Sequence, residues 1–300
     1  MEKVLRGIVP PLVTPLLDNE TLDIAGLERL VEHVIAGGVS GMFILGTTGE
    51  AQSLSFELRA EMIRQTTAIL RNRLPLFVGI TDTSLSDSLR LARIAADSGA
   101  DMLVSAPPYY FATGQPELAE FYESLIPQLP LPIYLYNMPV HTKVTIAPST
   151  IRRLAADPKV RGFKDSSANG TYFQSVMYEM RDRNDFSFFV GPEEMMAQVV
   201  LLGAHGGVNG GANMFPKLYV ALYKAAAEGN LHKVQELQQK VMQISSTIYN
   251  VGSYGSSYLK GVKCALSVLG ICNDFLASPF NKFDGEHRRK IEEAIESLGL

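Results

Sequence analysis

The chain has 300 residues, 46% of them hydrophobic and 19% charged, and a formal net charge of -4. It is apolar enough to fold throughout, and it carries no basic stripe that could neutralise a phosphate backbone, so nucleic acid is not an expected partner. No run of about 18 apolar residues offers a membrane span, and the start, Met1 to Arg6, lacks a secretory h-region; the expected location is the cytosol.

Short β-rich apolar runs alternate with longer amphipathic stretches. The first run is Gly7 to Val13. Ile24, Leu27, Leu30, Val31, Val34 and Ile35 then repeat at helical spacing until Gly37-Gly38 closes the segment. Gly41 to Leu45 is the second strand, followed by Gly46-Thr47-Thr48-Gly49-Glu50. Glycines there let the backbone approach a ligand, and two hydroxyls with free amides can hold a carboxylate; a plain helix N-terminal turn reads equally well. Leu58, Met62, Ile63, Thr66 and Ile69 form the next helical face, Leu76 to Gly79 the third strand, and Leu89, Leu91, Ile94 and Ala95 the helix after it.

Met102 to Ser105, the fourth strand, runs into Pro107-Pro108-Tyr109-Tyr110, and the fifth, Ile133 to Tyr136, into Asn137-Met138-Pro139. A tyrosine in such a place is usually packing, yet phenols at a barrel mouth can carry protons, and two of them with Thr47 can form a relay. Gly162 to Lys164 is the sixth strand and ends in an amine. An amine in an apolar mouth loses hydration, its pKa falls, and it becomes a nucleophile for carbonyl carbon; the alternative is a surface lysine in a loop.

Phe186 to Val190 is the seventh strand, with Gly191-Pro192-Glu193-Glu194 after it. The eighth, Gly206 to Val208, lies in the glycine-rich stretch Gly203 to Gly211. Neither dinucleotide nor P-loop spacing occurs in that stretch, so its glycines point instead to a backbone that passes close to something in the pocket. Beyond it the pattern is helical: Phe215 to Glu228, Leu231 to Ile248, a stretch around Tyr258 to Val268, and Glu286 to Leu298.

Eight strand-then-helix units match a (β/α)8 TIM barrel with a C-terminal helical extension. The barrel is expected over 1–225 and the helical domain over 226–300. In that fold, functional residues follow the strands. The two cysteines, Cys264 and Cys272, are too few for a disulfide framework and read as buried thiols. The five histidines fall singly, without metal-ligand spacing, so no metal site is expected.

The motifs Gly46-Thr47-Thr48-Gly49-Glu50, Tyr136-Asn137-Met138-Pro139 and Gly162-Phe163-Lys164-Asp165-Ser166, with the opening Gly7 to Pro15 and the glycine-rich eighth strand, resemble the dihydrodipicolinate synthase and N-acetylneuraminate lyase family along the whole chain. The resemblance implies a pyruvate-dependent class I aldolase with neither metal nor organic cofactor. By that analogy Lys164 forms a Schiff base with the keto group, Thr47 and Thr48 hold the carboxylate, and Tyr136 shuttles protons with Thr47 and Tyr110. The tyrosine matching Tyr110 reaches in from a neighbouring subunit in relatives, which implies a homotetramer built from dimers.

The synthase branch of the family has an arginine two residues after Tyr-Asn-x-Pro, where Val140-His141 stands here. Histidine lacks arginine's bidentate, always-charged fork, so the synthase reaction with aspartate semialdehyde is the weaker expectation. Ser166, Glu193, His141, Asn209 and Val208 are the further substrate-binding candidates. For Glu193 the alternative is ordinary helix N-terminal chemistry after a proline. The expected reaction is cleavage of a 2-keto-3-deoxy sugar acid, or a related 4-hydroxy-2-oxo acid, to pyruvate and an aldehyde. A Schiff-base dehydratase is a second reading, and a non-catalytic barrel acting as sensor or scaffold a remote one.

Overall fold

The computed structural model describes residues 4–299. Its sheet has eight parallel strands in the order β1-β8-β7-β6-β5-β4-β3-β2. They are β1 (Gly7–Ile8), β2 (Met42–Ile44), β3 (Leu76–Gly79), β4 (Met102–Ser105), β5 (Ile133–Asn137), β6 (Val160–Asp165), β7 (Ser187–Val190) and β8 (Gly206–Gly207). A parallel bridge between Pro11 and Phe43 joins the continuation of β1 to β2 and closes the sheet into a barrel.

The first strand is shorter than its apolar run suggests. Pro10 and Pro11 have no N–H to give to a ladder. The chain therefore pairs with β8 through the Val9 N–H and then turns to β2, where the Leu12 N–H reaches the Phe43 carbonyl at 2.8 Å.

Helices α1 (Ile24–Ala36), α2 (Phe56–Leu70), α3 (Leu85–Ser98) and α4 (Gln115–Leu125) follow the first four strands. Asp23, Ser55 and Ser84 cap the first three by accepting from amides of the opening turn. Two short helices, α5 (Pro139–Thr142) and α6 (Pro148–Leu154), lie between β5 and β6; α7 (Gly170–Glu179) and α8 (Met196–Leu201) follow β6 and β7. After β8 come α9 (Pro216–Ala227), α10 (Leu231–Thr247), α11 (Ser257–Val268) and α12 (Gly285–Leu298). A division after residue 225 falls in the last turn of α9, and the nearest break in the helices is the turn Glu228 to Asn230.

Two cores result from the strand period of two. Outward residues such as Phe163 and Leu135 pack under the helices, while Val9, Phe43, Phe77, Val104, Tyr134, Phe189 and Val208 fill the barrel. Gly162 is needed for that filling, because a Cβ there would come within 2.2 Å of the Tyr134 ring. No helix of the described residues is long and apolar enough to cross a membrane.

Candidate active site

Strand register assembles the center of the site. On β5 and β6, Tyr136 pairs with Lys164 and Asn137 with Asp165, so alternation turns the first pair into the barrel and the second away from it. Behind the sheet, Asn137 Nδ2 donates to Asp165 Oδ1 at 2.8 Å, and Ser167 donates to the same carboxylate through its amide and hydroxyl. The carboxylate thus spends its hydrogen bonds on neutral donors. Burial raises the Asp165 pKa against those bonds.

Lys164 is 6% exposed. Its Nζ sits 4.0 Å from the centre of the Tyr136 ring and 4.9 Å from that of Phe43. Among the described residues, no carboxylate lies within ion-pair distance of that nitrogen. Burial pulls the ammonium below its ordinary pKa, with the Tyr136 phenol and, more weakly, Asp165 pulling it back. Only about 10 Å³ of space remains at its base, where Val208 also lies.

Above Phe43 and Tyr136 opens a cavity of about 630 Å³. Its wall includes Thr47, Thr81, Tyr109, Met138, His141 and Tyr258, and none of the described wall residues is Arg or Lys. Thr47 Oγ1 lies 3.3 Å from the Tyr136 hydroxyl. The turn holding Thr47 and Thr48 is bracketed by Leu45 and Glu50, both at φ 57°. Left-handed backbone at non-glycine residues is strained and is tolerated where surrounding contacts enforce it. Here Thr14 Oγ1 donates to the Gly49 carbonyl at 2.6 Å, while the amides of Thr47 and Thr48 form no backbone hydrogen bond among the described residues. Two unspent amides beside two hydroxyls make a seat for a carboxylate. His141, at the cavity rim on α5, is drawn below its ordinary pKa by partial desolvation, so the imidazole is mainly neutral at pH 7.

The other candidates stand elsewhere. Tyr110 is 70% exposed, and its ring stacks edge-on with Phe111 at 5.0 Å rather than meeting Tyr136. Ser166 lies at the end of β6 against Gly191, outside the cavity wall. Asn209 is fully buried and ties β8 to β7 by donating to the Gly191 carbonyl at 2.9 Å, leaving its Oδ1 without a partner.

Glu193 does not face the cavity. It is 4% exposed; Oε1 accepts from the Tyr219 and Tyr249 hydroxyls at 2.5 and 2.6 Å, and Oε2 from the Gly211 amide at 2.9 Å. Burial raises its pKa to about 7 in spite of those donors. The neighbouring glycines serve the same packing. A Cβ on Gly211 would lie 1.9 Å from the Tyr219 hydroxyl, and one on Gly210 would lie 1.7 Å from that of Tyr258.

Several contributors have little local sequence signal. Phe43 floors the cavity; Tyr258 meets Thr48, hydroxyl to hydroxyl, at 3.1 Å; and Lys263 forms an ion pair with Glu50, the two side chains being 0% and 2% exposed. The one available hint was a single lysine inside the apolar run Gly261-Val262-Lys263-Cys264-Ala265-Leu266, since a charge in such a run has to find a partner. Cys264 and Cys272 are buried beside it, their thiols pushed up to about 11 and about 12.

A closed (β/α)8 barrel with a desolvated lysine at a strand end has the geometry found in barrel enzymes that work through an amine. Residues 4–298 match the model of the Dihydrodipicolinate synthetase family, and the chain belongs to that family of pyruvate-dependent lyases. A solved structure of dihydrodipicolinate synthase from Bacteroides thetaiotaomicron is 66% identical, with a TM-score of 0.97, over 99% of this chain and 100% of that one. YagE from Escherichia coli K12, solved in complex with pyruvate, is 25% identical with a TM-score of 0.93, over 99% of this chain and 100% of its own. The probable 2-dehydro-3-deoxy-D-pentonate aldolase YjhH of Escherichia coli is 27% identical over 99% of each chain.

Proposed function

We propose that the protein cleaves a 2-keto-3-deoxy sugar acid, or a related 4-hydroxy-2-oxo acid, into pyruvate and an aldehyde through a Schiff base on Lys164. The observation that carries this reading is the cavity wall. It offers hydroxyls and a mainly neutral imidazole above the lysine, and no guanidinium or second ammonium among its described residues. A hydroxylated aldehyde needs such groups, whereas an aldehyde bearing its own carboxylate calls for a fixed cation.

The substrate carboxylate sits on the Thr47 and Thr48 hydroxyls and amides. Lys164 Nζ, its pKa lowered by desolvation, adds to C2 as the free amine; Tyr136 gives its proton to the carbinolamine hydroxyl, which leaves as water, so that a protonated imine and the Tyr136 phenolate remain. Tyr136, coupled to Thr47, takes the proton of the 4-hydroxyl as the C3–C4 bond breaks; the bonding pair moves into the imine and the aldehyde departs. The resulting enamine takes a proton at C3 from Tyr136, and hydrolysis of the imine frees pyruvate and the lysine amine and returns the proton to Tyr136. YagE's pyruvate complex supports pyruvate as the retained half. Tyr110, exposed on the loop after β4, is suited to complete the relay of a neighbouring copy, as expected of a homotetramer assembled from dimers. Residues 226–300 are read as a helical extension of the barrel.

The synthase reading, condensation of pyruvate with aspartate semialdehyde, draws support from the likeness to the Bacteroides thetaiotaomicron protein. A substrate screen separates the two. Release of pyruvate from 2-keto-3-deoxy sugar acids, followed by a coupled assay, is expected, with little consumption of aspartate semialdehyde. Release from none of them, with rapid condensation instead, overturns the cleavage reading; a deoxygenated keto acid without pyruvate identifies a dehydratase.

A further inference from the structure

Helix α11 approaches the carboxylate turn at two points. Tyr258 reaches Thr48, its hydroxyl 3.1 Å from Thr48 Oγ1. One turn and a half further along, Lys263 reaches Glu50 Oε2, and its Nζ also donates to the Phe275 carbonyl at 2.7 Å. Glu50 Oε1 accepts from the Ala277 amide at 2.8 Å, so the last residue of the turn is fastened on both oxygens. Both contacts bear on the turn Gly46 to Glu50.

We propose that Tyr258 and Lys263 are positioning residues for the keto-acid carboxylate, acting through Thr48 and Glu50 respectively. The inference rests on the reading of the Thr47-Thr48 turn as the carboxylate seat. A threonine hydroxyl has one proton and two lone pairs. With Tyr258 donating to Thr48 Oγ1, the threonine keeps its own proton for a ligand oxygen in the cavity. Tyr258 is held in that role: burial pushes its phenol far above the ordinary value, its ring lies edge-on to Tyr249 at 4.8 Å, and Gly210 leaves room for its hydroxyl. Tyr249 is anchored in turn on Glu193. Lys263 acts on shape rather than on a proton. Glu50 holds a left-handed φ of 57°, and the ion pair restrains the strained residue next to the seat.

The test is borohydride trapping at graded pyruvate concentrations, read by intact mass, which gives a half-saturating concentration and a plateau separately. Tyr258→Phe is expected to raise half-saturation about five- to tenfold with the plateau unchanged, since it removes one hydrogen bond and keeps the ring. Thr48→Val should do the same, and the double variant should be no worse than Thr48→Val alone, because the tyrosine acts through the threonine. Glu50→Gln, which keeps an acceptor for Ala277 but ends the ion pair, should raise half-saturation by a similar factor. Folded Tyr258→Phe and Glu50→Gln proteins with wild-type half-saturation overturn the proposal, as do Tyr258→Phe and Thr48→Val effects that simply multiply. If the wild-type protein forms no adduct, the Schiff-base reading fails instead; pyruvate titration by calorimetry of the same variants then decides the positioning role, an unmoved Kd overturning it.

Discussion

Two lysines are buried near the mouth of this barrel, and they are buried to different ends. Lys164 lies beneath the cavity, its Nζ close to the rings of Phe43 and Tyr136, with no carboxylate in ion-pair range among the described residues. Lys263, fully buried on α11, is spent on Glu50 and on the Phe275 carbonyl. Desolvation lowers both pKa values, but only Lys263 has a carboxylate as the main opposing influence. Burial makes an amine willing to lose its proton; the partner decides whether the free pair is available for chemistry.

The widest separation between the two should come from substitution. Lys164→Ala is expected to abolish the pyruvyl adduct and lower turnover by about 10³-fold or more, measured by intact mass and by pyruvate release. Lys263→Met should leave the adduct plateau intact and instead destabilise the fold by about 3–5 kcal/mol in urea unfolding, because Glu50 is left buried and unpaired. Adding Glu50→Gln to Lys263→Met should recover much of that loss. An equal loss in the double variant would show that the ion pair is not what makes Lys263 costly to remove.

Tyr136→Phe sharpens the Lys164 side. Turnover should fall about 10²- to 10³-fold with the relay broken. The phenol also holds the lysine pKa up, so its removal should move the pH midpoint of adduct formation to lower pH. A midpoint displaced to higher pH would contradict the assigned influence of the phenol.

The smallest effect concerns a buried acid whose partners are neutral donors. Glu193, with its pKa raised to about 7, binds a proton in the folded state that the unfolded chain has already lost. Between an unfolded value near 4.5 and about 7, the folded protein therefore carries more protons, and stability should fall as pH rises through that window, by roughly 3 kcal/mol. Glu193→Gln should flatten that slope in urea midpoints taken from pH 5 to pH 8. An unchanged slope would place the titration elsewhere.

The strands, the order of motifs and the amine at the end of β6 were legible because each depends on residues within a few positions: a period of two, a glycine turn, a lysine after Gly162-Phe163. Glu193 misled because Pro192-Glu193-Glu194 reads as a helix start whether or not a ligand is near, and the two hydroxyls that occupy it come from Tyr219 and Tyr249, far along the chain. The glycines of 206–211 signalled a close approach correctly in kind. What approaches is the Gly7 backbone at Gly206 and tyrosine hydroxyls at Gly210 and Gly211.

The sequence by itself determined the barrel class, the family, and the local placement of Lys164, Tyr136 and the two-threonine turn, since periodicity and turn chemistry are short-range and survive without a partner in view. Only the tertiary structure decided which buried amine is left unpaired by acids, that Tyr110 points outward, and that α11 closes on the turn Gly46 to Glu50 with Tyr258 and Lys263. The last of these rests on contacts between residues some 200 positions apart. Closing the barrel brings such residues together, and nothing in their own neighbourhoods encodes which partner they meet.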